Sequence, residues 1–175
     1  MTSYNGYYCK SCKTHFYIKI TITSKGIKEI TLSVKNVKKS LNKAKNNLNS
    51  HPEQSEGSKN VFLKQTLNYL NQYFKGKSMS AKLPFDLSDS TSFQQKVWNA
   101  TQKIPYGQTR SYLWIAKKIN KPKAFRAVGQ ALKSNPLPIL IPCHRVIKSN
   151  KTLGGFMGTV GVHIKKALLT LEKAI

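Results

Sequence analysis

Three prolines fall within seven residues of one stretch and restrict the backbone there more than anywhere else in the chain. Residues 135–147 read Asn-Pro-Leu-Pro-Ile-Leu-Ile-Pro-Cys-His-Arg-Val-Ile. Each proline fixes its own φ angle, and the unbroken run of branched apolar residues between them is typical of buried chain. The stretch therefore predicts a rigid, buried approach to a single cysteine, Cys143.

Cys143 is followed at once by His144 and Arg145. Cysteine attacks as the thiolate, and a cationic or proton-accepting neighbour lowers the pKa of the thiol. The order of these residues predicts an activated nucleophile. The alternative is a structural cysteine that happens to precede a histidine, which is the commoner situation for an isolated Cys-His pair.

The whole stretch resembles the active-site signature of the O6-alkylguanine-DNA alkyltransferases, also called methylated-DNA–protein-cysteine methyltransferases. The resemblance runs from about residue 91 to residue 172, is tight over 104–155, and has no matching motif before it. It implies a ribonuclease-H-like α/β N-terminal unit, followed by a mostly α-helical C-terminal domain with a winged-helix-like helix-turn-helix.

The charge of the chain points to a polyanionic partner. Thirty basic residues against six acidic ones give a net charge of +24, and such a field attracts nucleic acid. An AT-rich coding bias is the alternative, because all but three of the basic residues are lysine. Residues 90–175 contain a single acid, Glu172, among 15 basic residues.

Size and composition allow one compact domain or two small ones in these 175 residues. No apolar run reaches the roughly 18 residues of a membrane span, and residues 1–10 do not resemble a signal peptide. We therefore expect a cytoplasmic protein, and we separately expect it to be a monomer. The expected division is a structural α/β domain over 1–85, a linker over 86–90 and a reactive domain over 91–175.

The N-terminal half predicts strands before helices. Apolar and polar residues alternate over 14–22 and again over 27–34, and Ser24-Lys25-Gly26 suits a hairpin turn between them. A weakly amphipathic helix is expected over 35–49 and a loop over 50–60. A second helix carries Leu63, Leu67, Leu70 and Phe74 and ends at Gly76. Nothing in this half carries evident chemistry.

The C-terminal half predicts helices with a tight connection. Thr91 and Gln94 form a capping box for a helix that Pro105-Tyr106-Gly107 stops. Ser111 can cap the next helix, and Asn120-Lys121-Pro122 turns the chain into another, which is helix-turn-helix spacing. A last helix is expected over 162–174.

One face of the second helix of this pair is basic and polar. It is expected to bury Ala124, Val128, Ala131 and Leu132 and to expose residue types that contact phosphates and bases, namely Lys123, Arg126, Gln130 and Lys133. A solvated helix face is the alternative. Arg110 joins this set because the chain uses arginine at only three positions, where a planar guanidinium can be needed. By resemblance, Arg126 in Arg-Ala-Val-Gly inserts into the duplex and replaces an extruded base.

The resemblance also implies the roles around the thiol. Cys143 is the nucleophile, His144 is its base, directly or through a water, and Glu172 orients the imidazole. Tyr112 crowds the target phosphate and assists protonation of the leaving group. Asn135 and Arg145 support the site. The residues expected along the alkyl pocket are Pro138, Val146, Gly154, Gly155, Phe156 and Met157.

A structural zinc through Cys9, Cys12 and His15 is a weaker expectation, because a tetrahedral site needs a fourth ligand and His51 is distant in sequence. No other cofactor is expected.

The function expected from the resemblance is single-use repair of DNA. The protein would flip O6-methylguanine, or O4-methylthymine, out of double-stranded DNA and keep the alkyl group on Cys143. One alternative is a thiol hydrolase, which would need oxyanion donors that the sequence does not identify. The other is a helix-turn-helix regulator or damage-recognition protein that binds without reacting.

Overall fold

The computed structural model describes residues 2–9, 13–34, 57–78, 83–156 and 161–175. Within these ranges a three-stranded sheet with one long helix is followed by a mostly helical half. The predicted order, with strands first and helices after them, is confirmed at this level. Every helix in the same ranges is too short or too polar to cross a bilayer.

The sheet is antiparallel, in the order β1 (Thr2–Cys9), β2 (Thr14–Thr23) and β3 (Gly26–Val34). The alternation that predicted β2 corresponds to its buried face, which is formed by Phe16, Ile18, Ile20 and Ile22. The hairpin turn between β2 and β3 is confirmed. The sequence did not predict β1, because residues 2–9 lack a regular alternation of apolar and polar side chains.

Helix α1 (Gly57–Phe74) packs on the sheet through Leu70 and Phe74, both buried. Its C-terminal part is the predicted helix. The predicted loop over 50–60 is wrong for residues 57–60, which are helical. Residues 58–60 contain no proline, so they can continue the helix. The helix therefore begins before the apolar residues from which it was predicted. The helix predicted over 35–49 lies outside the described residues.

The segment predicted as a linker, 86–90, is attached to the sheet. The amide of Ile27 donates to the carbonyl of Pro84 at 2.9 Å, and the amide of Asp86 donates back to the carbonyl of Ile27 at 3.0 Å. The carboxylate of Asp86 accepts hydrogen bonds from the hydroxyls of Thr23 at 2.7 Å and Ser88 at 2.8 Å. These bonds hold the crossing between the two halves in one place.

The helical half begins with α2 (Ser92–Gln102), whose N-terminus has the predicted capping box of Thr91 and Gln94. The predicted helix-turn-helix is confirmed as two helices, α3 (Tyr112–Lys118), which Ser111 caps, and α4 (Phe125–Lys133). Its second helix is entered through a short 3-10 turn at Pro122–Ala124. The remaining elements of this half are β4 (Arg110–Ser111), β5 (Val146–Ile147), which pairs in parallel with β4, and α5 (Gly161–Leu171).

The proline-rich stretch forms the centre of this half, and its predicted burial is confirmed. Leu137, Ile139 and Ile141 are at most 1% exposed. Ile139 has a φ of +75°, a left-handed conformation that a β-branched residue adopts only under strain. The amide of Ile30 donates to the carbonyl of Pro136 at 2.8 Å, which joins β3 to this stretch. The approach to the cysteine is thus fixed by both halves of the protein.

Candidate active site

Cys143 begins a 3-10 turn, Cys143–Arg145, at the end of the proline-rich stretch. Cys143 is only 6% exposed, and its sulfur accepts a hydrogen bond from the side-chain amide of Asn135, with 3.0 Å between Nδ2 and Sγ. The thiol is therefore held at a defined position rather than lying free at the surface.

Asn135 connects the end of α4 to this turn. Its Oδ1 accepts from the amide of Leu137 at 3.0 Å, and its Nδ2 also donates to the carbonyl of Ile141 at 2.9 Å. One side chain thus ties together the end of the helix-turn-helix, the proline-rich stretch and the sulfur. These three contacts are compatible with the supporting role that we expect for Asn135.

His144 and Glu172 form a buried pair, with 2.7 Å between Nε2 and Oε1. A carboxylate only accepts hydrogen bonds, so we assign the imidazole proton to Nε2, which leaves the lone pair on Nδ1. Nδ1 is buried and has no hydrogen-bond partner among the described residues. Helix α5 ends at Leu171, earlier than predicted, and Glu172 follows it directly.

Arg145 neutralises the same carboxylate. Its Nε donates to Oε2 of Glu172 at 2.8 Å and its Nη2 donates to Oε1 at 3.0 Å, while Nη1 donates to the carbonyl of Ile104 at 2.8 Å. The guanidinium is therefore committed to Glu172. The expectation that Arg145 activates the thiol as a neighbouring cation is wrong, because the turn directs its side chain to the carboxylate.

Burial raises the pKa of the Cys143 thiol to about 11, against the hydrogen bond from Asn135 and the charge of Lys165, which lower it. The expected lowering of this pKa is therefore wrong for the ligand-free protein. Burial also lowers the pKa of His144 and outweighs the hydrogen bond to Glu172. The resting site thus contains a neutral thiol and a neutral imidazole.

Lys165 is a buried residue of the site that sequence reasoning missed. Its ammonium donates to the carbonyls of Val146 and Leu153, each at 2.5 Å, and burial lowers its pKa to about 8. It ties α5 to the loop that follows Cys143. A signal was present, since Lys165 lies three and four residues before Leu168 and Leu169, on the same side of α5.

Tyr73 is the second missed residue, and it belongs to the N-terminal half. Its hydroxyl donates to Oε1 of Glu172 at 2.7 Å. The N-terminal half, in which the sequence shows no evident chemistry, thus contributes one hydrogen bond to the buried carboxylate. No local pattern could have revealed Tyr73, because its partner is distant in sequence and a tyrosine on an apolar helix face usually indicates packing.

The predicted basic face of α4 is exposed, and Val128, Ala131 and Leu132 are buried as expected, whereas Ala124, which was also expected to be buried, is only half-buried. The exposed side chains include Lys123, Arg126, Gln130 and Lys133. Beside this face lies an open depression of about 320 Å³, lined by Tyr112, Leu113, Phe125, Arg126, Gly129, Lys148, Ser149, Gly154 and Gly155.

Tyr112 lines this depression and also lies close to the buried residues, since Nζ of Lys165 is 6.0 Å from the centre of its ring. Burial raises the pKa of its phenol, so the hydroxyl remains a proton donor at neutral pH. Gly154 has a φ of +69°, and a Cβ at this position would lie 3.1 Å from the Tyr112 oxygen. The close approach of the loop to Tyr112 therefore requires glycine.

The other predicted pocket residues divide by burial. Pro138, Val146 and Phe156 are buried, and Gly155 is exposed. Met157 lies outside the described residues. The side chain of Arg110 makes contacts with nearby residues. It donates a hydrogen bond to Oε1 of Gln108 at 2.7 Å, and its guanidinium carbon lies 5.7 Å from the centre of the Trp114 ring.

The expected zinc ligands are not brought together as far as the structure describes them. Cys9 is buried, whereas His15 is exposed and packs against the ring of Tyr8 with 4.5 Å between centroids. Because Tyr8 and Cys9 are successive residues of a strand, Cys9 and His15 lie on opposite faces. Cys12 and His51 lie outside the described residues, and the described ones form no group of three or more metal ligands.

The buried pair predicts a loss of stability in acid. Burial acts to raise the pKa of Glu172, but the bonds from His144 and Arg145 outweigh it and hold the pKa at about 2. A carboxylate with a lowered pKa stabilises the folded state above its unfolded value, and this stabilisation disappears as the pH falls towards the folded value. His144 adds to the loss below about pH 6.5, because the unfolded imidazole takes up a proton more readily.

We therefore expect the free energy of unfolding to fall below about pH 6.5 and again below about pH 4.5, with on the order of 3 kcal/mol from Glu172. Urea unfolding at a series of pH values measures this. A free energy that stays constant down to about pH 3 would contradict it.

The fold and the site together define a helix-turn-helix protein with a buried cysteine, histidine and glutamate beside a basic helix face. The family model described as the 6-O-methylguanine DNA methyltransferase DNA-binding domain matches residues 92–174. The constitutive methylated-DNA–protein-cysteine methyltransferase of Bacillus subtilis is 50% identical over 104 residues, which cover 59% of this chain and 62% of that protein.

Two further comparisons extend over more of the relative. The methylated-DNA–protein-cysteine methyltransferase of Methanosarcina acetivorans is 48% identical over 113 residues, which cover 63% of this chain and 69% of that one. The crystal structure of Mycobacterium tuberculosis OGT in complex with DNA is 33% identical and has a TM-score of 0.68, with 90% of this chain and 87% of that chain covered. The chain belongs to the methylated-DNA–protein-cysteine methyltransferase family.

Proposed function

We propose that this protein removes the alkyl group from O6-alkylguanine in double-stranded DNA and keeps it on Cys143. The observation that carries this proposal is the buried array of Cys143, His144 and Glu172, in which Nδ1 of His144 has no hydrogen-bond partner in the described part of the chain. The exposed basic face of α4 supplies the binding surface next to it. The M. tuberculosis relative is recorded in complex with DNA, which supports the same partner class.

The reaction needs a proton acceptor, because the thiol is neutral at rest. In the proposed step, Nδ1 of His144 takes the thiol proton, directly or through a water, while Glu172 holds the opposite nitrogen. The sulfur then attacks the alkyl carbon as the bond from that carbon to O6 breaks, and the electron pair leaves with the guanine. Tyr112 donates a hydrogen bond to the leaving base. The guanine anion finally takes up one proton, which balances the proton that His144 removed from the thiol, and becomes neutral guanine.

The product explains why no turnover is expected. The alkylated Cys143 is a thioether, which has no good leaving group, so each molecule reacts once. The reaction requires neither a diffusible cofactor nor a metal ion. The buried positions of Pro138, Val146 and Phe156 are compatible with an apolar pocket for the alkyl group.

The target atom is inaccessible in a stacked duplex, so we propose that the damaged nucleotide is flipped out and that Arg126 fills the gap.

We further propose that residues 91–175 act as a winged-helix-like domain that binds the DNA. Residues 1–85 then form a ribonuclease-H-like domain, and 86–90 form the connection between the two. We also propose that the protein acts as a monomer in the cytoplasm and that O4-methylthymine is a further substrate.

The test is mass spectrometry of the protein after incubation with a duplex that contains one O6-methylguanine. We expect one added methyl group, on the peptide that contains Cys143, and an unmodified guanine in the DNA. Binding of the duplex without any added mass would instead support a helix-turn-helix protein that recognises damage without repairing it.

The exposed guanidinium of Arg126 gives a separate prediction. Arg126→Ala should slow methyl transfer from duplex DNA by at least about tenfold. Extruding the nucleotide costs a few kcal/mol, and the variant lacks the side chain that offsets part of this cost by filling the gap. Arg126→Lys retains the charge, so it should keep the salt dependence of binding while most of the rate is still lost. Single-turnover rates and binding at several salt concentrations measure both effects.

Lys64→Ala is the matched control, because Lys64 is an exposed cation on α1, away from the helix-turn-helix. If Lys64→Ala slows transfer as much as Arg126→Ala, then only the net charge of the protein matters.

A further inference from the structure

The N-terminal half contributes a side chain to the buried array. Tyr73 lies in the last turn of α1 and is 1% exposed. Its hydroxyl donates to Oε1 of Glu172 at 2.7 Å. The oxygen of this Tyr73 hydroxyl also lies 3.3 Å from Nε2 of His144. Because Nε2 already donates to Glu172, its contact with Tyr73 is a weaker, shared one.

Ring packing fixes the place of this hydroxyl. Phe74 stacks on Tyr7 of β1 with 4.8 Å between centroids. Tyr73 meets Phe74 edge-on at 5.3 Å and Tyr106 edge-on at 6.1 Å. A continuous set of aromatic contacts therefore runs from the sheet to the carboxylate. The hydroxyl is directed at Glu172 by the packing of the N-terminal half and not by its hydrogen bond alone.

The hydroxyl competes with the imidazole for one oxygen. Oε1 of Glu172 accepts from Tyr73 at 2.7 Å, from His144 at 2.7 Å and from Nη2 of Arg145 at 3.0 Å. Each additional donor withdraws negative charge from the carboxylate, which then binds the imidazole proton less strongly. A weaker carboxylate stabilises the imidazolium less, so His144 stays neutral and keeps the lone pair of Nδ1.

We propose that Tyr73 is a positioning residue that holds Glu172 in place and limits the proton affinity of His144, so that the N-terminal half adjusts the base of the reaction. This inference rests on the proposed function only in that it takes Nδ1 of His144 as the acceptor of the thiol proton. It assigns the sheet and α1 a part in the chemistry beyond support.

Tyr73→Phe in the full chain tests the proposal, because it removes the hydroxyl and keeps the ring. The rate of Cys143 alkylation by iodoacetamide, measured from about pH 5 to about pH 9, reports the base of the free protein without DNA. We expect the acid limb of this profile to move to higher pH by about half a unit to one unit. The ring ¹⁵N shifts of His144 should titrate with the same displacement.

Tyr106→Phe is the matched control. Tyr106 packs against Tyr73, but its hydroxyl donates to the carbonyl of Leu171 at 3.3 Å rather than to the carboxylate. We expect this variant to lose thermal stability without any displacement of the acid limb. A limb that is unmoved in Tyr73→Phe, or moved to lower pH, would overturn the proposal and leave Tyr73 as a packing residue.

The two proposals can fail separately. The iodoacetamide rates and the His144 titration need no DNA, so they decide the role of Tyr73 even if no methyl group is transferred from a duplex. Absence of methyl transfer together with a displaced His144 titration would count against the repair function alone.

Discussion

Cys143→Ser is expected to abolish methyl transfer, with a loss of at least about ten-thousandfold in the single-turnover rate. A hydroxyl is far less acidic than even a buried thiol, so His144 cannot generate an effective nucleophile from it. The basic face of α4, the proposed DNA-binding surface, is untouched by this change, and the variant should bind a duplex with O6-methylguanine about as tightly as the original protein. Mass spectrometry and binding measurements separate the two effects.

Cys9→Ser is the matched control, because Cys9 is a buried cysteine of β1 in the N-terminal sheet. It should retain transfer as long as circular dichroism shows a folded protein. Clearance of the lesion by Cys143→Ser would contradict the proposed function directly.

The second large effect is expected from Glu172→Gln, which should slow methyl transfer by at least about a hundredfold. An amide cannot fix the imidazole proton on Nε2 as a carboxylate does, and changing the acid of a catalytic triad to its amide is known to cost several orders of magnitude. The amide also leaves the guanidinium of Arg145, which is 7% exposed, without its counter-charge. We expect about 3–5 kcal/mol of stability to be lost as well.

Single-turnover rates and urea unfolding of the same preparation measure the two losses. Glu29→Gln removes the same charge from an exposed position of β3 and should change neither quantity appreciably. Rates within about threefold of the original for Glu172→Gln would remove the carboxylate from the mechanism.

The sequence was most informative where local patterns determine local structure. The alternation in β2, the capping box at Thr91 and the turn before Pro122 each predicted an element that the structure contains. The prolines before Cys143 likewise predicted a rigid, buried approach, and the Arg126 face of α4 is exposed as expected.

What the sequence did not yield depends on distance along the chain and on burial. Tyr73 reaches Glu172 across 99 residues, and nothing near Tyr73 indicates that contact. The pKa of the thiol was misjudged because the sequence does not show how completely the sulfur is removed from water. Arg145 lies two residues after Cys143, yet its guanidinium pairs with Glu172 rather than with the sulfur. Burial therefore has the larger effect and raises the pKa of the thiol.

The raised pKa of Cys143 determines how well the sulfur survives before use. With a pKa of about 11, about one molecule in ten thousand carries a thiolate at pH 7. Hydrogen peroxide and similar oxidants react with thiolates far faster than with thiols. A sulfur that can react only once in each molecule is thereby protected, since it becomes an effective nucleophile only when a substrate is bound and His144 takes its proton.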